Sequence, residues 1–153
     1  MIKAKKMFTK LLAGVLVGST LLTSISADAA WRSTKSKTVK ESGKNYTLTA
    51  KAHLPYWSDK NGGGDWKSQA KYTGPKKKLT NSWSFYSIGG SVSWQGMGLQ
   101  GDGTSTGNSF AYKDSTVNAN GYVYGTGLAV YVGMIATASF TKGNTYYSIS
   151  TKI

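Results

Sequence analysis

The chain has 153 residues, no cysteine, one histidine and a formal net charge of +13. This composition excludes a disulfide-stapled scaffold and any zinc site built on several His or Cys ligands. Such an excess of positive charge speaks of an anionic partner or surface and says nothing about fold.

Residues 1–29 read as a secretory signal peptide. Lys3, Lys5, Lys6 and Lys10 make a basic start, Leu11–Leu22 a short apolar segment, and Ala27-Asp28-Ala29 a small-x-small cleavage pattern. The apolar segment is too short to span a bilayer comfortably. A released chain beginning at Ala30 is the expectation, and cysteine-free export fits a Gram-positive bacterium. Beyond this segment the charge is uneven. Residues 30–78 hold twelve basic and three acidic residues, whereas 79–153 hold three and two.

Residues 30–44 read as a polar, basic N-terminal arm in which Ser36–Glu41 can form an edge strand before a turn at Glu41-Ser42-Gly43-Lys44. The rest, 45–153, reads as one β domain. Asn45–Leu54 alternates cleanly, with Tyr46, Leu48, Ala50, Ala52 and Leu54 on one side. Pro55 ends it, and Tyr56–Asp65 is a glycine-rich loop. Trp66–Thr73 alternates again, with Trp66, Ser68, Ala70 and Tyr72 opposite Lys67, Gln69, Lys71 and Thr73. Gly74-Pro75 marks a turn, followed by Lys76-Lys77-Lys78.

Leu79–Ile88 and Ser91–Gln100 read as strands reversed by Gly89-Gly90, with Gly96 and Gly98 marking a bulge or sharp bend. A short strand at Asn108–Lys113 follows. The uncharged segment 115–140 then reads as a hairpin of strands 115–124 and 128–140 about Gly125-Thr126-Gly127. Its even positions, from Tyr122 and Tyr124 through Val132, Met134 and Phe140, form the apolar face, and Thr145–Ile153 is the last strand. About nine strands with glycine-rich turns and no helical period predict a single all-β antiparallel sandwich, with a barrel as the alternative.

Little in the sequence suits catalysis. His53 lies on a polar strand face with no nucleophile motif beside it, and Glu41, Asp59, Asp65, Asp102 and Asp114 each lie in or beside turns, where Asp bonds its own backbone. Asp59–Asp65 resembles the start of a calcium loop, but Ala70 stands where the bidentate acid belongs. No enzyme, no cofactor and no metal are expected.

Two features point to binding. If the strands at 45–54 and 66–73 share a sheet, Lys51, Lys67 and Lys71 project from its solvent face, with Lys76, Lys77 and Lys78 at its edge. Tyr56 and Trp57 offer exposed rings for a sugar or a membrane interface. Trp66, Trp83 and Trp94 are expected to fill the core. The leading expectation is a secreted, non-enzymatic, cationic β protein that binds an anionic cell-envelope or matrix component, such as teichoic acid, anionic lipid or polysaccharide, without specific nucleic-acid recognition. The alternatives are a bacteriocin or pore-forming toxin that inserts the 115–140 hairpin, and a matrix or adhesion protein that self-associates at open strand edges. An oligomeric state is not specified by these features.

Overall fold

Period-two alternation is clearest in β2 and β3, and the described residues form eight strands: β1 (Ser33–Glu41), β2 (Lys44–His53), β3 (Gly63–Tyr72), β4 (Leu79–Gly96), β5 (Leu99–Asp102), β6 (Thr106–Ala111), β7 (Thr116–Lys142) and β8 (Thr145–Lys152). They are seen in a computed structural model that describes residues 31–55, 63–102, 106–111 and 115–153. All eight strands belong to the unit Arg32–Ile153.

All strand pairs are antiparallel and belong to one hydrogen-bonded sheet. Its continuity comes from β4 and β7, which pair with each other along most of their length. The first part of β7 lies between β3 and the end of β4, giving the order β1-β2-β3-β7-β4-β5. The last part of β7 lies between β8 and the start of β4, which pairs β6 on its far side. The sheet therefore folds over itself into the two layers of an antiparallel sandwich, nearly closed like a barrel.

The layers meet through an aromatic cluster. Trp66 of β3 packs on Trp83 and Phe85 of β4, with ring centroids 5.0 and 5.5 Å away, and Trp94 closes on Trp66 at 6.1 Å edge to face. All three tryptophans are buried, as their alternation predicts. A second apolar cluster joins Val39, Leu48, Ala70, Tyr72, Leu79 and Phe140. A polar latch also crosses the core: buried Ser68 donates its hydroxyl to Asn81 Oδ1 (2.6 Å), and Asn81 Nδ2 donates to the Ser68 carbonyl (3.1 Å). Cutting one side leaves its partner dry and unpaired, so Asn81→Ala is expected to cost about 2–4 kcal/mol. Urea unfolding should show this as a lower midpoint with an unchanged slope.

The expected 115–140 hairpin is not formed. Thr116–Lys142 is one 27-residue strand that continues without interruption through Gly125-Thr126-Gly127. Gly89-Gly90 is likewise no reversal, because β4 continues to Gly96 and changes register between Ile88 and Gly90. The two glycine groups lie opposite each other, Gly90 against Gly127 and Val92 against Gly125. They relieve one shared bend, where Gly89 takes a φ of 84°.

An irregularity of this kind shifts the side-chain alternation. Before the bend Val117, Ala119 and Val123 of β7 point inward; after it Val132, Met134, Ala136, Ala138 and Phe140 do. Tyr122 and Tyr124 therefore lie on the outer, exposed face, contrary to the expected even-numbered apolar face. The sharp bend expected near Gly96 and Gly98 is the two-residue turn Met97-Gly98 between β4 and β5, with φ of 53° and 72°. Residues 33–41 of the expected arm form β1, paired along its length with β2.

Candidate functional site

The outer face of β2 and β3 is polar because every second residue of both strands is polar. Lys67 stands opposite His53, Gln69 opposite Lys51, and Lys71 opposite Thr49. On the other side of β3, Lys67 faces Asn120, Gln69 faces Asn118 and Lys71 faces Thr116 of β7. A hydrogen bond from Gln69 Nε2 to Asn118 Oδ1 (2.8 Å) and a Ser36–Thr49 hydroxyl pair at 2.9 Å tie this surface across strands.

Lys51 is diagonal to both Lys67 and Lys71, so its backbone lies roughly 7–8 Å from each. Lys67 and Lys71 are four residues apart along β3, roughly 13 Å. The structure thus gathers these three expected residues into one triangle. Both β3 lysines are exposed, and among the described residues neither has an ion-pair partner. Lys40 of β1 shares the face, and Asp65 is the acid nearest the triangle on β3.

The Lys76-Lys77-Lys78 run does not extend this triangle as expected. It lies in the connection from β3 to β4, and its members diverge. Lys77 turns to the buried Glu41 at the end of β1, with Nζ 2.8 Å from Oε1. Lys142 approaches the same oxygen at 3.3 Å, and the Tyr72 hydroxyl donates to Oε2 at 2.9 Å. Lys78 lies over the Phe110 ring at 4.2 Å, and Lys76 is exposed. Lys77 is a structural ion-pair residue because Glu41, facing inward at the sheet end, needs a counter-charge. Tyr56 and Trp57 lie outside the described residues, as does Asp59 with most of the calcium-like loop.

The hydrogen bond from Lys77 holds the Glu41 carboxyl below the ordinary glutamate range, against the opposing effect of burial and with help from Tyr72 and Lys142. A carboxyl with a depressed folded-state pKa stabilises above its unfolded pKa and loses that contribution as pH falls through the folded value. Glu41→Gln should therefore lower the urea midpoint at pH 6. The gap to the parent protein should narrow as pH falls through the folded-state pKa of Glu41 and its carboxylate is neutralised. Burial and the same carboxylate push the Tyr72 phenol well above its usual range, so it remains a donor.

A second feature of this layer was missed by the sequence reading. Tyr122 lies opposite Asp65 on β3 and Gln95 on β4, and Gln95 lies opposite Gln100 on β5. With Asn120, Met97 and Leu99 these side chains line a groove of about 650 Å³. Tyr122, Met97 and Leu99 are 41%, 51% and 46% exposed. The signal that would have found it is the paired glycines at 89–90 and 125–127, read as one bend that shifts the alternation.

His53 is half-buried, and among the described residues no three His, Cys, Asp or Glu side chains converge as a metal site. No described helix is long and apolar enough to cross a membrane, which says nothing of strands.

No protein-family model matches this chain. No curated protein matches it either. Among solved structures it is similar to the crystal structure of the GAE domain of GGA2p from Saccharomyces cerevisiae, at 10% identity and a TM-score of 0.30, over 78% of this chain and 94% of that one. A likeness of this size transfers neither activity nor partner.

Proposed function

We propose that this chain is a secreted, non-enzymatic binding protein that holds an anionic cell-envelope or matrix polymer against the outer face of β2 and β3. The observation that carries the reading is the Lys51–Lys67–Lys71 triangle. It is presented on a broad polar face between hydrogen-bonded neighbours and not on a mobile tail. Lysines that only solubilise a sheet are normally interspersed with acids. Here Asp65 stands against four outward lysines on β1–β3, so the face carries a positive field that favours a polyanion.

The competing readings have less support. The toxin reading rested on a hairpin, and β7 is instead a central strand paired with β3, β4 and β8. Self-association at strand edges is disfavoured at β1, where Lys35 and Lys37 occupy the row that faces Ala50 and Leu48 yet remain exposed. Inward-row charges on an edge strand blunt edge-to-edge pairing.

Titrating binding against salt tests the proposal, with long-chain polyphosphate and hyaluronate as probes. Three ion contacts predict that log K falls against log salt with a slope of roughly −2 to −3. Binding that is flat from 50 to 500 mM salt, or absent at low salt for both probes, would overturn it.

A further inference from the structure

We infer that the groove beside Tyr122 is a pyranose-binding subsite, and that the polymer is consequently an acidic polysaccharide. This inference rests on the lysine-face reading and adds the chemical class of the ligand.

The first argument is the chemistry of the lining. A pyranose ring is amphipathic: its C–H groups form an apolar face, and its rim carries hydroxyls that both donate and accept. The groove offers the counterpart of each. Tyr122, Met97 and Leu99 supply exposed apolar surface. Asp65, Gln95, Gln100 and Asn120 supply a carboxylate and three planar amides around it. The side-chain amides of Gln100 and Asn120 make no hydrogen bond to a described residue, so their donors and acceptors are available to a ligand. A purely ionic site for polyphosphate or lipid head groups has no use for this mixture, and an acid in the groove opposes it.

The second argument is preorganisation. The Tyr122 ring lies across Gly63, whose missing Cβ would sit 2.6 Å from the phenol oxygen and 2.8 Å from a ring carbon. The glycine lets the ring settle onto the sheet. Beneath the groove, the Trp66 indole N–H donates to the Gln95 carbonyl at 3.1 Å, fixing the β4 backbone under the polar row.

The third argument is continuity. Tyr122 on β7 is diagonal to Lys67 on β3, and Lys67 is diagonal to Lys51 on β2. Each diagonal step is roughly 7–8 Å. An oblique track therefore runs from Gln100 and Gln95 through Tyr122 to the two lysines. A glycan lying along it places one ring in the groove and its next acidic groups over the ammonium ions.

The test uses the full secreted chain with hyaluronate and with long-chain polyphosphate, a polyanion without sugar, at matched low salt. Tyr122→Ala is expected to weaken hyaluronate binding about tenfold and to leave polyphosphate binding within twofold; Tyr122→Phe is expected to retain hyaluronate binding. Replacing Lys51, Lys67 and Lys71 with glutamine should weaken both. If Tyr122→Ala fails a folding check by circular dichroism, Asn120→Ala replaces it with the same expectation. The sugar subsite is overturned, and the lysine face stands, if the groove variants lower both probes equally or neither. Both readings fall if the parent protein binds neither probe.

Discussion

Gly121→Ala is expected to cost more than about 3 kcal/mol and to leave little folded protein at 37 °C. A Cβ at Gly121 would sit 1.9 Å from the Gln95 carbonyl oxygen and 2.7 Å from the Gly96 Cα. Both obstacles are backbone of the paired strand, so no rotamer change relieves them. Gly96, its cross-strand partner, is equally tight: a Cβ there would meet the Asn120 carbonyl at 2.4 Å and the Trp66 ring at 2.6 Å. The Gly96–Gly121 pair leaves room for the Trp66 indole, which anchors the aromatic core. Gly43→Ala is the control. Its φ of +75° penalises a side chain, but nothing lies within 4 Å, so about 1 kcal/mol is expected. Urea unfolding of the two variants separates close approach from turn strain. If Gly121→Ala unfolds within 1 kcal/mol of the parent protein, the Trp66-centred description of the core is wrong.

How far the sequence could be read depended on whether neighbouring residues carried the information. Strands β2 and β3 were legible because strict alternation of small apolar and polar residues over eight to ten positions admits one face assignment. The burial of Trp66 followed from that alternation. The 115–140 segment was misread for a local reason: glycine is equally suited to a reversal and to a bend. Deciding between them requires knowing that Gly90 faces Gly127, a long-range pairing. The same error hid Tyr122, since a shift of alternation at the bend carries it from the apolar row to the outer face. Lys77 was misplaced because its partner, Glu41, lies 36 residues away and is brought close by the docking of β1. In the candidate site, then, the triangle was readable from short-range pattern and the groove was not.

The largest effect on function is expected from the lysine triangle, and it separates placed charge from total charge. Replacing Lys51, Lys67 and Lys71 with glutamine removes three positive charges from one face. At roughly 1 kcal/mol per lysine near an anionic surface, the expected loss is about 3 kcal/mol. That corresponds to roughly a hundredfold weaker binding. The residues lie on the solvent face of paired strands, so the folded state should persist. The matched control replaces Lys35, Lys37 and Lys44, which sit in the opposite rows of β1 and β2 against Ala50, Leu48 and Glu41 and are exposed. It removes the same charge from the adjoining strands β1 and β2 without touching the face. Affinity for hyaluronate, measured at 50 mM salt for the parent protein and both triple variants, is the most direct test. The account predicts a hundredfold loss for the face variant and less than a fivefold loss for the control. Equal losses in the two variants would mean that net charge alone drives binding and would contradict a site on β2 and β3.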